Sequence, residues 1–402
     1  MGTIKMIQAT RRVFLNRLAV VLACVLALGG LALPVPARAQ GMDVFEVRDV
    51  AVDVTAETAA QAREQAYAEG EAGAFRTLLE RLTLRIEHEG LPKLKADEIA
   101  SYIKDFSVAD EKTSSVRYLA LLSFRFKHEE VRALLNDFGF SFAETVSKPV
   151  LVLPVFQNLG ALILWDDPNP WRDAWAARPK RDGLVPTLLP LGDLADIAAI
   201  GAEQAMDGDL QRLAAIAGRY GASDTLVVFG VLRVDAAKAR QVLDVYFTRY
   251  GRQLKEQTEV VSFPQEKDEP IPRLLARAAE ELISIVEDNW KRDNLLQFER
   301  AGEIPVVLPI SGLKDWLRVR KQLGGVAVIR RAEMVLLSRE RVRLILHFIG
   351  ETSQLALALE QADLALVQEG GKWFLGPIKP IVVKPGGAKQ GEAGRKTRKP
   401  PT

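Results

Sequence analysis

The chain of 402 residues carries 54 lysines and arginines against 52 aspartates and glutamates, and its apolar and charged fractions are those of an ordinary globular protein. Both ends of the chain have an excess of basic over acidic residues, and residues 40–378 between them are net acidic, which argues against general nucleic-acid binding. The single cysteine, Cys24, lies in the first of these ends. The rest of the chain therefore has no disulfide, thiolate nucleophile or zinc–thiolate site.

Residues 1–39 have the pattern of an export signal. A basic front precedes an apolar run over residues 18–33, which is too short and too interrupted by glycine and proline to span a bilayer comfortably. Within the front, "TRRVFLN" resembles a bacterial twin-arginine signal, and its motif residues are Arg11, Arg12, Phe14 and Leu15. The alternative is an ordinary secretory signal in which two arginines are adjacent by chance. Either route predicts a location in the periplasm.

The end of this segment predicts where the leader is removed. Ala37, Arg38 and Ala39 supply the small-x-small pattern that a signal peptidase recognises, so cleavage is expected between Ala39 and Gln40. Acylation at Cys24 is the alternative, but a bulky leucine two residues before it suits that reaction poorly. The mature chain is thus expected to keep no transmembrane anchor.

The N-terminal part, residues 40–147, is predicted to be an α+β module. A strand over residues 44–54 is followed by helices over 58–84 and 96–104, the first with small residues on one face. A hairpin over 106–126 then alternates apolar and polar residues, and a helix follows over 128–138. The order β-α-α-β-β-α is typical of a small sandwich of helices on a sheet.

Residues 148–300 are predicted to form a central α/β domain. The continuous apolar run "PVLVLPVF", residues 149–156, is typical of a strand buried on both faces. Further strands are predicted over residues 225–235, 240–250 and 254–263, and two helices over 208–220 and 271–296 frame them. This order predicts an α/β layer that ends in a meander of strands.

Residues 301–378 are predicted to be a second small α+β module. "VRLILHFIGETSQLALALEQADLAL" repeats the order of "YLALLSFRFKHEEVRALLNDFGFSF", namely a strand, a short amphipathic helix and extended chain. Either one type of module is used twice, or two common patterns coincide. The fold class predicted for the whole chain is therefore multi-domain α+β and α/β, with two small α+β modules flanking a central α/β domain after a cleaved signal peptide.

Residues 379–402 are rich in proline, glycine, lysine and arginine and have little to bury, which predicts a disordered basic tail. Its simplest role is that of a solubilising end. The alternative is weak electrostatic contact with an anionic polymer or lipid.

The residues that usually carry catalysis or metal binding are sparse in this chain. Its three histidines, His88, His128 and His347, are far apart and form no metal-spaced pair. His128 is expected to cap a helix or to be solvated, and His347 to be a structural residue of an apolar strand. The sequence has no G-x-S-x-G elbow, P-loop or dinucleotide-binding glycine motif, so it predicts no metal and no cofactor.

One segment, "LWDDPNPWRDAW", holds three of the six tryptophans. Tryptophan faces and carboxylates are the groups with which a sugar-binding groove stacks on rings and bonds hydroxyls, which makes Trp165, Trp171 and Trp175 candidate binding residues. Two carboxylates could also serve glycoside hydrolysis, with Asp166 or Asp167 acting alongside a distant acid such as Asp193, a further candidate. The adjacent aspartates argue against this, because neighbours in extended chain point to opposite faces.

The structural interpretation of the same segment is an anchored corner. "DPNP" is a turn signal, and "PWRDAW" then begins a short helix in which Trp171 and Trp175 lie one turn apart on one side. Both rings would then be buried in the core. We favour this interpretation and expect the binding role only if the rings are exposed.

Five segments, taken in order, carry a resemblance. They are "VFEVRDVAVDVTAETAAQAREQAYAEGEAGAFRTLLERLT", "PVLVLPVF", "LWDDPNPWRDAW", "LVPTLLPLGDLADIAAI" and "YGASDTLVVFGVLR". Over residues 44–290 the chain resembles a family of exported proteobacterial proteins defined by a domain of unknown function, with an alanine-rich N-terminal helix and a central W-x-x-P-x-P-W and LGDLAD region. The resemblance implies an envelope location and favours a non-catalytic role, and it implies no site residue.

These observations predict a soluble periplasmic protein that acts by binding, as an interaction or accessory protein of the cell envelope. Its partner would be an envelope protein or a cell-wall glycan, and not a nucleic acid. The alternative is a periplasmic glycan-acting enzyme or sugar-binding protein that uses the tryptophan segment. The distance and exposure of the carboxylates distinguish the two hypotheses.

Overall fold

The computed structural model describes residues 43–158, 160–179, 182–251, 257–296 and 301–378. The predicted signal peptide, its twin-arginine motif, the cleavage site and the basic tail lie outside these ranges. The described chain combines helices with three β-sheets, which confirms the predicted mixed fold class.

The first sheet has three antiparallel strands in the order β1-β3-β2. Their bounds are Glu46–Thr55 for β1, Ile103–Thr113 for β2 and Arg117–Phe126 for β3. Three helices accompany them, α1 over Ala59–Leu82, α2 over Ala96–Tyr102 and α3 over His128–Asp137. The observed order of elements is the predicted one. The hairpin begins three residues earlier than the predicted 106, because α2 ends at Tyr102 and the chain passes directly into β2.

Helix α1 lies close to this sheet because small residues face it. Thr58 caps the helix, its hydroxyl accepting a hydrogen bond from the backbone N–H of Gln61 at 3.2 Å. At Gly70 a Cβ atom would come within 2.7 Å of the Leu122 side chain and 3.3 Å of Val52. Glycine at this position therefore permits the close approach that the sequence predicts.

The second sheet has the order β5-β4-β7-β8-β9, with β6 beside β4. The strand bounds are Val150–Asn158 for β4, Ala161–Ile163 for β5, Thr187–Leu188 for β6, Asp224–Asp235 for β7, Arg240–Tyr250 for β8 and Thr258–Pro264 for β9. β4 pairs parallel with β6 and β7, and the other pairs are antiparallel.

Helices cover both faces of this sheet. Their bounds are Pro170–Ala176 for α4, Leu194–Ala199 for α5, Ala202–Met206 for α6, Leu210–Arg219 for α7 and Ile271–Asp293 for α8. Strand β4 is buried on both faces as predicted, since Val152 belongs to the cluster that includes α8 and Leu153 to the cluster that includes α6 and α7. Helices α5 and α6 are not among the predicted elements.

The third sheet has the order β11-β12-β10-β14-β13. Its strands are β10 over Ala301–Pro309, β11 over Ile329–Leu337, β12 over Arg341–Ile349, β13 over Leu364–Glu369 and β14 over Lys372–Pro377, and its helices are α9 over Leu313–Leu323 and α10 over Thr352–Gln361. β10 and β14 are parallel, and the other pairs are antiparallel. The predicted similarity to the first module holds for strand and helix. It ends after the helix, where Phe142 forms a single bridge to Thr83 while β13 is a full strand.

One apolar cluster extends through all three parts of the described chain. Hydrogen bonds cross the predicted module boundaries as well. The indole N–H of Trp290 donates to the carbonyl of Thr145 at 2.7 Å, and the backbone N–H of Lys148 donates to the Gln361 side chain at 2.7 Å. The modules therefore share a core, although each has its own sheet.

Candidate functional site

The tryptophan segment folds as a short capped helix. The side chain of Asn169, which is fully buried, accepts a hydrogen bond from the backbone N–H of Arg172 at 3.0 Å and so caps α4. Pro170 occupies the first turn, where its missing N–H costs nothing. The Asp167–Pro168 peptide bond just before the helix is cis.

Two of the three tryptophans in this segment are core residues. Trp171 is 0% exposed and Trp175 is 4% exposed, and their rings meet edge to face with centroids 5.7 Å apart. The indole N–H of Trp171 donates to the carbonyl of Val228 at 3.1 Å, which ties α4 to β7. The Arg178 guanidinium lies 4.9 Å from the ring centre of Trp175. The burial of both rings supports the interpretation as an anchored corner and leaves neither face open to a ligand.

The remaining candidates of the segment lie at the surface. Trp165 is half-buried, and its indole N–H donates to the carbonyl of Ile200 at 2.7 Å. Asp166 and Asp167 are both exposed. Of the three tryptophans, only Trp165 could offer part of a ring face to a ligand.

Asp193 caps a helix and forms an ion pair. Its carboxylate accepts hydrogen bonds from the backbone N–H groups of Ala195 at 3.0 Å and Asp196 at 2.9 Å, which caps α5. Its second oxygen accepts from the Arg219 guanidinium. Both oxygens therefore have structural partners, and the carboxylate is poorly placed to act as a proton donor or nucleophile.

The structure brings the tryptophan segment and "LGDLAD" together at Gly192. Gly192 has φ of 76°, in the left-handed region that favours glycine. A Cβ atom there would lie 3.4 Å from Trp165 and 3.0 Å from the Arg172 guanidinium. Arg172 also donates to the carbonyl of Trp165 at 3.4 Å. The two unusual motifs of the sequence thus form one surface region.

The central residue of this region, Asp196, was not among the predicted site residues. Asp196 is 0% exposed, and its carboxylate accepts hydrogen bonds from the backbone N–H of Gly192 at 2.9 Å, from Arg219 at 2.9 Å and from the Tyr220 hydroxyl at 2.5 Å. Burial, followed by the bond to Asp196, raises the pKa of Tyr220. No local sequence pattern identifies Asp196, because its partners Arg219 and Tyr220 are distant in the chain.

We refer to residues 191–199, which the contacts of Asp196 hold in place, as the frame. Three apolar side chains are exposed on the frame, and we refer to Leu191, Leu194 and Ile197 as the leucine surface. Leu191 is 79% exposed, Leu194 is 85% exposed and Ile197 is 48% exposed. The frame holds them in place, because the Tyr220 hydroxyl accepts a hydrogen bond of 2.8 Å from the backbone N–H of Leu191. Single exposed leucines are common, but three exposed apolar side chains within seven residues make this region a candidate contact surface.

A separate cluster of buried charges lies between α1 and α8. The ammonium of Lys291 donates to the carbonyls of Glu80 and Thr83, each at 2.8 Å. Burial raises the pKa of the neighbouring Glu287 and lowers the pKa of Lys291. Arg81 donates two hydrogen bonds of 2.7 Å to backbone carbonyls around β1. These contacts tie α8 to the end of α1, and α1 to β1, so we interpret the cluster as structural.

The histidines are spread over separate elements. His128 is exposed and stacks on Phe45 with ring centroids 4.3 Å apart, whereas Lys127 occupies the cap position of α3. Of the two expected roles of His128, the structure therefore has the solvated one and not the cap. His347 is half-buried on β12, with its Nε2 atom 3.5 Å from Glu333. Within residues 43–378, as far as they are described, no group of three histidine, cysteine or carboxylate side chains could hold a metal ion.

No helix among the described residues is long and apolar enough to cross a membrane. Comparison of the chain with known protein families, curated proteins and solved structures finds no match. The resemblance to exported proteobacterial proteins therefore stays a prediction.

Proposed function

We propose that this protein is an exported, non-catalytic interaction protein of the cell envelope, and that the leucine surface contacts a partner protein. The observation that carries the proposal is the exposure of Leu191, Leu194 and Ile197 on a frame fixed by the buried carboxylate of Asp196. Apolar side chains that are exposed and already ordered contribute to binding without the cost of fixing a loop.

The chemistry of the surface favours a protein partner over a glycan. Its side chains are aliphatic, whereas sugar recognition uses aromatic faces beside free hydrogen-bonding groups. The ion pair of Arg219 and Asp193 lies partly exposed on the same frame, with side chains 39% and 44% exposed. An apolar centre beside polar groups is the usual anatomy of a protein interface.

Charge placed on the surface tests the proposal. We expect Leu194→Asp to abolish crosslinking of the protein to its partner in intact cells, because a desolvated carboxylate without a counter-ion is costly in an interface. The matched control is Leu313→Asp. Leu313 is 61% exposed and, like Leu194, is the first residue of its helix. An identical crosslinking pattern for the wild type and Leu194→Asp would contradict the proposal.

Export is tested through the leader. Changing Arg11 and Arg12 together to lysine should retain the precursor in the cytoplasm, because the twin-arginine route requires both guanidinium groups. N-terminal sequencing of the exported form should begin at Gln40. Normal export of the double variant would exclude the twin-arginine route and leave the ordinary secretory route.

A further inference from the structure

Helix α9 and strand β11 enclose a groove at one edge of the third sheet. The space between them has a volume of about 430 Å³, within the usual range of ligand sites. Its apolar lining includes Trp316 and Leu323 from α9 and Ile329 and Met334 from β11. Trp316 and Leu323 are buried, so the floor of the groove is part of the module's core.

The backbone of β11 is available for pairing along this groove. β11 is an edge strand of its sheet and pairs only with β12. The N–H and C=O groups on its outer side therefore have no strand partner within the described chain. Its register with β12 is continuous from Arg331 to Met334 and shifts on either side. Met334 and the next three apolar residues, through Leu337, are each between 42% and 58% exposed. An exposed apolar edge of this kind is normally covered or interrupted.

The rim of the groove is basic. Arg320, Arg330 and Arg331 all line it. Arg331 is paired with Glu333 at 2.8 Å. Arg320 lies one turn after Trp316 on α9, is exposed, and makes no ion pair within the described part of the chain. Guanidinium groups beside an apolar floor favour a ligand that combines a carboxylate with apolar side chains.

We propose that this groove binds an extended, acidic segment of a partner polypeptide, which adds as a further strand to β11. Backbone hydrogen bonds to β11 supply the pairing, and every second side chain of the segment enters the groove over Trp316 and Leu323. An acidic side chain of the segment meets Arg320 at the rim. This site lies on a different module from the leucine surface, and the proposal does not depend on the function proposed above.

Charge decides against two other occupants. A second copy of the chain, pairing edge to edge through its own β11, would offer two arginines and one glutamate, a strand that is net basic like the rim itself. The segment 379–402 of this chain is strongly basic and would meet the same repulsion. An acidic partner is the complementary choice.

A fluorescein-labelled peptide of eight residues tests the site on the full mature chain. The peptide alternates valine and threonine and ends in two aspartates, and a matched peptide ends in two lysines. We expect the acidic peptide to bind saturably in an anisotropy titration and the lysine peptide at least tenfold more weakly. Arg320→Glu should weaken the acidic peptide about tenfold or more, whereas Lys321→Glu, the same charge change on the next residue of α9, should change it less than about twofold.

Two further measurements report strand addition itself. One peptide is methylated on the backbone nitrogens of its odd-numbered residues and a second on those of its even-numbered residues. Only one of the two should lose binding, because only one edge of an added strand faces β11. Ala332→Trp should fill the groove and block binding, whereas Val335→Trp, outside the groove lining, should not.

The proposal is overturned if the acidic peptide shows no saturation up to about 1 mM. It is equally overturned if both peptides bind alike with no difference between Arg320→Glu and Lys321→Glu. Displacement of the probe by laurate, with no effect of backbone methylation, would assign the groove to a small amphiphile. A dimer in sedimentation that Ala332→Trp dissociates would assign the edge to a second copy.

Discussion

At the scale of single residues, Trp171 and Trp175 join α4 to the central sheet. Trp171→Ala and Trp175→Ala should each lower the free energy of unfolding by about 3–5 kcal/mol, because both rings are buried and their removal leaves a cavity. Urea unfolding of the two variants measures this loss.

Asp166→Asn and Asp167→Asn are the controls for the tryptophan variants. Both carboxylates are exposed, so these variants should unfold within about 0.5 kcal/mol of the wild type. Native-like unfolding of both tryptophan variants would contradict the anchored corner and restore the binding hypothesis. A loss of glycan cleavage in one well-folded asparagine variant would favour the enzyme.

Glu287 carries a second prediction at this scale. Burial raises its pKa in the folded state above the unfolded value of 4.5, so its favourable contribution is fully present below that value. The contribution is lost as the pH rises through the folded pKa. Glu287→Gln cannot ionise, and its stability relative to the wild type should therefore increase as the pH is raised from about 4 to 7. Thermal unfolding of both proteins across this range measures the difference, and parallel curves would exclude the effect.

At the scale of elements, the frame of α5 depends on two aspartates with different roles. Asp196→Ala removes an acceptor of three hydrogen bonds from a buried site and should cost about 2–3 kcal/mol of unfolding free energy. Asp193→Ala removes a helix cap and should cost about 1 kcal/mol. Urea unfolding ranks the two, and an equal or larger loss for Asp193→Ala would show that the buried carboxylate does not hold the frame.

The sequence predicted the long elements well because their patterns are local. Helix α1 was expected over 58–84 and spans Ala59–Leu82, and β8 was expected over 240–250 and spans Arg240–Tyr250. Helices α5 and α6 have six and five residues, which are too few for a helical period of apolar residues to be recognised in the sequence. Asp196 could not be predicted as a site residue for a different reason. Its partners Arg219 and Tyr220 lie more than twenty positions away, and only the packing of α5 beside α7 brings them together.

At the scale of the whole molecule, the shared core predicts coupled unfolding. Phe124 in the first sheet and Trp316 in α9 belong to the same apolar cluster. The protein should therefore unfold in one calorimetric transition, and Phe124→Ala and Trp316→Ala should each shift that same transition to lower temperature. Two resolved transitions, each sensitive to only one substitution, would instead support independent domains with boundaries near 147 and 300.

The left-handed backbone at Gly192, held between Trp165 and Arg172, has a thermodynamic consequence for association. A surface that is already ordered before contact loses little conformational entropy when a partner arrives. Titration calorimetry of the complex should then show the negative heat-capacity change of apolar burial without the large unfavourable entropy of coupled folding. Gly192→Ala, which strains that turn, should leave the contact residues intact and add an entropic penalty to their binding.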